Sequence, residues 1–163
     1  MVGFTTNSAA LTGAITRSLT LLESLSVAYE TGMYKAAMQA VYLTTNRIVR
    51  YGASSDGEQL YTKSRSPIGA YGQRHGRARQ ERGLQTARVD LTFTGAMMAN
   101  FNMLTLQPYR MTLGFSKPTQ AAKMAELEAY YGADIISPSE DEEDEAIVKL
   151  ENEVVGLLDK LFA

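Results

Sequence analysis

The side chains whose types and spacing could do chemistry crowd between positions 60 and 88. Lys63, Arg65, Arg74, Arg77, Arg79, Arg82 and Arg88 stand there against a single acid, Glu81, a net charge of +6. Tyr61 and Tyr71 are interleaved with them. Guanidinium groups beside aromatic faces suit phosphates with stacked bases, or acidic patches on protein neighbours. Lys63, Arg65, Tyr71, Arg74, Arg77, Arg79 and Arg82 are therefore the candidate contact residues, and protein neighbours are preferred over DNA. The lone histidine, His75, sits among these arginines, whose charge lowers its pKa, and no acid is positioned in sequence to orient it as a base. No GxSxG, HExxH or phosphate-cradling glycine motif occurs, and Gly69-Ala70-Tyr71-Gly72 does not follow a strand and open a helix. Asp56-Gly57 and the acids at 141–144 lack EF-hand spacing. With no cysteine, disulfides and thiolate metal sites are excluded. The reading is of a protein that is not an enzyme, with no catalytic residue, metal site or cofactor.

The elements that must position those residues belong to a chain of 163 residues, read as one domain, 1–163. Its net charge of −2 argues against a wholesale nucleic-acid binder. Residues 1–59 are neutral overall, whereas 89–163 carry five basic and thirteen acidic groups, a net charge of −8. One positive segment and one negative end suit head-to-tail contacts between identical copies. Residues 1–10 have no basic start before an apolar run, so no secretory signal is expected. No apolar run approaches the ~20 residues that span a bilayer, and no membrane contact is expected.

The fold class expected is α+β. Leu11, Ile15, Leu19, Leu22 and Val27 or Tyr29 follow helical spacing, with Asn7 or Ser8 as a cap. Gly32 breaks the pattern, and Met33, Ala37, Val41, Thr44 and Ile48 resume it, so 1–50 reads as two helices or one kinked helix ending at Gly52. Residues 52–85 show no period and read as a long polar basic loop. A small antiparallel sheet is expected from strands near 86–94, 102–107 and 109–115, the first with Val89, Leu91 and Phe93 on its apolar face and the last two forming a hairpin around Pro108. A short helical turn is expected at 96–101. Ala121, Met124, Leu127 and Tyr131 mark a helix stopped by Gly132. Ser137-Pro138-Ser139-Glu140 reads as a capping box opening a last helix over 137–163, with the acids at 140–145 favoured by its dipole. Ile147, Leu150, Val154, Leu157 or Leu158, and Leu161 form its apolar face.

Several landmarks over 59–132 fall in a familiar order. Tyr61-Thr62-Lys63-Ser64 precedes a Tyr- and Arg-rich stretch, then Arg82-Gly83-Leu84-Gln85-Thr86, then Val89-Asp90-Leu91-Thr92-Phe93-Thr94-Gly95-Ala96-Met97. Leu113-Gly114-Phe115 and the helix before Gly132 follow. In this the chain resembles the virion-morphogenesis and tail-completion neck proteins of tailed phages. Ala96 departs from the acid or polar residue frequent there, and 1–50 match only as generic helices. The resemblance implies a structural virion protein without enzymatic activity, assembled in the host cytoplasm and placed at the head-to-tail junction. Its expected partners are copies of itself in a homo-oligomeric ring, portal or adaptor proteins, and tail-tube or tail-terminator proteins, with packaged DNA a further contact in the channel. The alternatives are a tail-terminator ring capping the tail tube and, in another class, a DNA-binding protein using 60–88.

Overall fold

The computed structural model describes residues 8–107 and 110–162, an α+β arrangement of four α-helices and two small antiparallel sheets. Helix α1 runs unbroken through Ser8–Asn46, 39 residues or about 58 Å at 1.5 Å per residue. Gly32 does not break it. A Cβ built on Gly32 would stand 2.8 Å from Leu150 Cδ1, so the glycine marks a close approach of another helix. Ala28, Gly32, Ala36, Ala40 and Thr44, each four residues apart, form a buried ridge of small side chains. Against it packs α4, Glu140–Phe162. Met33, Ala37, Val41, Thr44 and Ile48 are buried as their spacing required. Ile15, Leu19, Leu22 and Val27 are not: they lie on the surface, because α4 covers the small-residue ridge instead. Asn7 lies outside the described residues, as do the side chains of Leu11 and Leu161.

The helical path ends in a π-turn, Arg47–Tyr51, closed by Gly52 in the left-handed conformation at φ 65°. The segment 52–85 is not a structureless loop. Strands β1 (Pro67–Ile68) and β2 (Tyr71–Gly72) pair antiparallel, and α2 (Gln73–Glu81) follows directly. No apolar period betrays α2, because the positions it buries are Gly76 and Arg79.

Residues 86–94 form no strand. Asp90 is pulled inward beside Val89, and its Oδ1 accepts a hydrogen bond from the Thr92 backbone N–H at 3.0 Å. That local bond replaces a strand ladder and turns the chain at Leu91, whose φ is +53°. Leu91 and Phe93 are half-buried rather than one face of a sheet. A single 3₁₀ turn, Met98–Asn100, leads into the expected hairpin of β3 (Phe101–Gln107) and β4 (Arg110–Phe115). Its register pairs Phe101 with Phe115 and Gln107 with Arg110, with an irregularity between Met103 and Thr105. Pro108 and Tyr109 lie outside the described residues.

Helix α3, Pro118–Tyr131, stops at Gly132 with φ +72°. The capping box of α4 lies two residues later than its sequence signature: Ser139 Oγ accepts from the Glu142 N–H at 3.3 Å, and Glu142 Oε2 accepts from the Ser139 N–H at 3.0 Å. Along α4, Leu150, Val154, Leu157 and Leu158 are half-buried and Ile147 is exposed. One core gathers Ile48, Leu60, Ala70, Tyr71, Val89, Met98, Met124 and Ile135, drawing on almost every part of the chain.

Candidate functional site

Among the described residues two buried ion pairs hold the fold together, and one of them forms part of a cleft. In the first, Arg47 at the end of α1 reaches Glu142 in the first turn of α4, with Nε 2.9 Å from Oε1. Arg47 also donates to the carbonyls of Ala53 (2.9 Å), Ile135 (3.2 Å) and Ser137 (2.7 Å). Thr44 Oγ1 adds a bond to Glu142 Oε2 at 3.0 Å. One guanidinium thus ties the end of α1, the turn after it, the α3–α4 connection and α4 together.

In the second, Arg79 of α2 is 1% exposed and Asp90 is 5% exposed. Arg79 Nη2 stands 2.7 Å from Asp90 Oδ2, and its Nε donates to the Gln85 carbonyl at 2.7 Å. Asp90 also accepts from Gln85 Nε2 and, at 3.0 Å, from the Tyr71 hydroxyl, which in turn accepts from the Asp90 N–H at 2.9 Å. Burial works to raise the Asp90 pKa, but the donors Thr92 and Gln85 and the charge of Arg79 outweigh it and hold the carboxyl below its ordinary value. Burial pushes the Tyr71 hydroxyl well above its ordinary range. Arg79 Nη1 is the one buried side-chain nitrogen or oxygen without a hydrogen-bond partner among the described residues.

From this pair a column of flat groups runs outward. The Arg79 guanidinium lies 4.5 Å from the Tyr71 ring centre, Tyr71 lies 5.1 Å from His75, His75 4.9 Å from Phe93, and the Arg82 guanidinium 4.4 Å from Phe93. Burial, and next the charge of Arg79, lower the His75 pKa, so the ring is neutral near pH 7. The column, apart from Arg82 at its end, is one wall of a cleft of about 890 Å³. The first turn of α2 (Gln73, Arg74, His75) and the turn at 91–97 line it on one side, and α3 lines it on the other through Gln120, Lys123, Glu126, Leu127, Tyr130 and Tyr131. Burial and neighbouring Tyr130 push the Tyr131 hydroxyl up to about 12. Gly72 supplies no side-chain cap to α2, which leaves the first-turn N–H groups unused by a side chain at the cleft.

The sequence-derived contact residues therefore divide. Lys63, Arg65, Arg74, Arg77 and Arg82 are exposed, and Arg74 lines the cleft. Tyr71 and Arg79 are buried structural groups, so their expected role as surface contacts is corrected: Asp90 draws both inward. Lys123 and Tyr130 had no place in the sequence reading, and Asp90 had none as a site residue. Asp90 had a signal, an acid 11 residues from Arg79, but its alternation with Val89 and Leu91 read as the polar face of a strand.

No group of three or more potential metal-ligating side chains occurs among the described residues. None of their helices is long and apolar enough to cross a membrane. Comparison with models of known families, with curated proteins and with solved structures finds no match to this chain.

Proposed function

We propose that this chain is a structural subunit of a tailed-phage particle, acting at the head-to-tail junction by packing into a ring of copies. The observation that carries the reading is the uncovered stripe on α1. Ile15, Leu19 and Leu22 follow i, i+4, i+7 spacing and are 52%, 56% and 62% exposed. A contiguous apolar stripe in water is covered by a partner in a stable assembly. A ring interface is heterologous, so one subunit must offer two different complementary patches. The separation of charge into a basic 60–88 and an acidic 89–163 supports that arrangement. Apolar contact then supplies affinity, and charge sets orientation and partner choice. Burial of Tyr71 and Arg79 removes two of the groups that a DNA-binding reading would use.

The test has two arms. Leu19→Glu together with Leu22→Glu should lower self-association at least tenfold by sedimentation while leaving the circular dichroism spectrum unchanged, since both side chains are exposed in the lone subunit. Mass spectrometry of purified particles, with a labelled chain located by electron microscopy, should place the protein at the neck. Its absence from purified particles would end the proposal.

A further inference from the structure

We infer that the cleft between α2 and α3 is the socket for the acidic start of α4 from a second copy of this chain. The inference rests on the ring reading and specifies which surfaces meet.

The ion pairs among the described residues use Lys35, Arg47, Arg79 and Lys149. Among the described residues, Arg74 and Lys123 at the cleft pair with no carboxylate, nor do the adjacent Lys63, Arg65 and Arg77. Among the described residues that line the cleft, Glu126 is the only acid. At the start of α4, Glu142 is consumed by Arg47, but Glu140, Asp141, Glu143 and Asp144 are exposed and pair with no cation among the described residues. The folded subunit thus keeps two unneutralised surfaces of opposite sign.

The cleft offers more than charge. The first turn of α2 brings uncapped backbone N–H groups to it, which is where a helix attracts an anion. Arg79, one of its lining residues, retains a buried nitrogen with no acceptor among the described residues. Leu91, Phe93, Met97 and Leu127 give it apolar walls. The acidic start of α4 has matching apolar neighbours, Ile147 and Val148, each 52% exposed. A carboxylate seated at the α2 terminus beside an apolar anchor satisfies both halves of the cleft. The acidic start and the cleft share no residue, so the contact repeats from copy to copy, as a heterologous interface must.

Charge swapping tests this in the full chain. Sedimentation at low salt should show self-association of the wild type below about 100 μM. Arg74→Glu with Lys123→Glu should weaken it at least tenfold, and so should Glu140→Lys with Glu143→Lys. Mixed together, the two variants should recover most of the lost affinity, because each presents the charge the other now needs. Arg110→Glu with Lys117→Glu, the same charge change at exposed positions that do not line the cleft, should leave association unchanged. Circular dichroism checks that each variant folds. Failure of the mixture to recover overturns the contact, as does a wild type that stays monomeric. If Leu19→Glu abolishes association while the cleft variant associates normally, the ring reading stands and this socket does not. If the cleft variant loses binding to labelled duplex DNA but keeps self-association, the cleft serves phosphates and the assignment to α4 is wrong.

Discussion

Asp90 decides more of the local structure than any other single residue. Its carboxylate neutralises Arg79, holds the Tyr71 hydroxyl and turns the chain at Leu91 through the Thr92 N–H. Removing one partner of a buried pair leaves the other charge uncompensated, at a cost of about 3–5 kcal/mol. Asp90→Ala should therefore lower unfolding free energy by roughly that amount in urea titrations. A loss below about 1 kcal/mol would mean that water reaches Arg79. Acidity should act on the same residues. Asp90 is held below its ordinary 3.8, so its contribution is complete above that value and is lost as pH falls through the lower folded one. His75 is held below its ordinary 6.5, so the fold favours the neutral ring. Stability on its account is complete above 6.5 and declines as pH falls toward the depressed folded value. Both groups make the protein less stable in acid, in two separate windows. His75→Phe keeps a ring between Tyr71 and Phe93 and should abolish the upper window, leaving denaturation midpoints flat between about pH 7 and pH 5.

At the scale of elements, the two glycines buried in helices answer opposite questions. Gly32 lies inside α1, where alanine is the better helix former by about 1 kcal/mol. The atom its Cβ would meet, Leu150 Cδ1, is the end of a flexible side chain, so Gly32→Ala should be neutral or stabilising by up to about 1 kcal/mol. Gly76 has the same propensity argument, but its Cβ would stand 2.6 Å from Ile68 Cβ, a branch point fixed to the β1–β2 hairpin. Gly76→Ala should destabilise by about 1–3 kcal/mol in thermal unfolding, because α2 must move off the hairpin. These contacts also explain what was legible in the sequence. The α+β class, the β3–β4 hairpin, α3 with its Gly132 stop and the acidic first turns of α4 follow from periodicity and capping, which are local. The ridge from Ala28 to Thr44 was hidden because small residues carry little hydropathy, and the larger Ile15, Leu19 and Leu22 drew the eye to the face that stays bare. Helix α2 was hidden because it buries an arginine whose partner lies 11 residues on. The cleft depended on α2 and on the turn at 91–97, and could not be read without them.

For the molecule as a whole, two kinds of surface remain unused, and salt separates them. The α1 stripe is apolar, and its attraction does not depend on ionic screening. The cleft and the acidic start of α4 attract through charge, whose range shrinks from about 30 Å at 0.01 M salt to about 3 Å at 1 M. Wild-type association should therefore weaken with salt yet persist at about 1 M, where the stripe alone sustains it. The Leu19→Glu, Leu22→Glu variant keeps only the charged contact, so its residual association should vanish in high salt. The Arg74→Glu, Lys123→Glu variant keeps only the stripe, so its association should be insensitive to salt. Sedimentation velocity across a salt series reads all three. Association of the wild type that tightens steadily with salt would leave the charged surfaces without a part in assembly. The unpaired cations beside the cleft and the unpaired acids of α4 would then face other partners rather than each other.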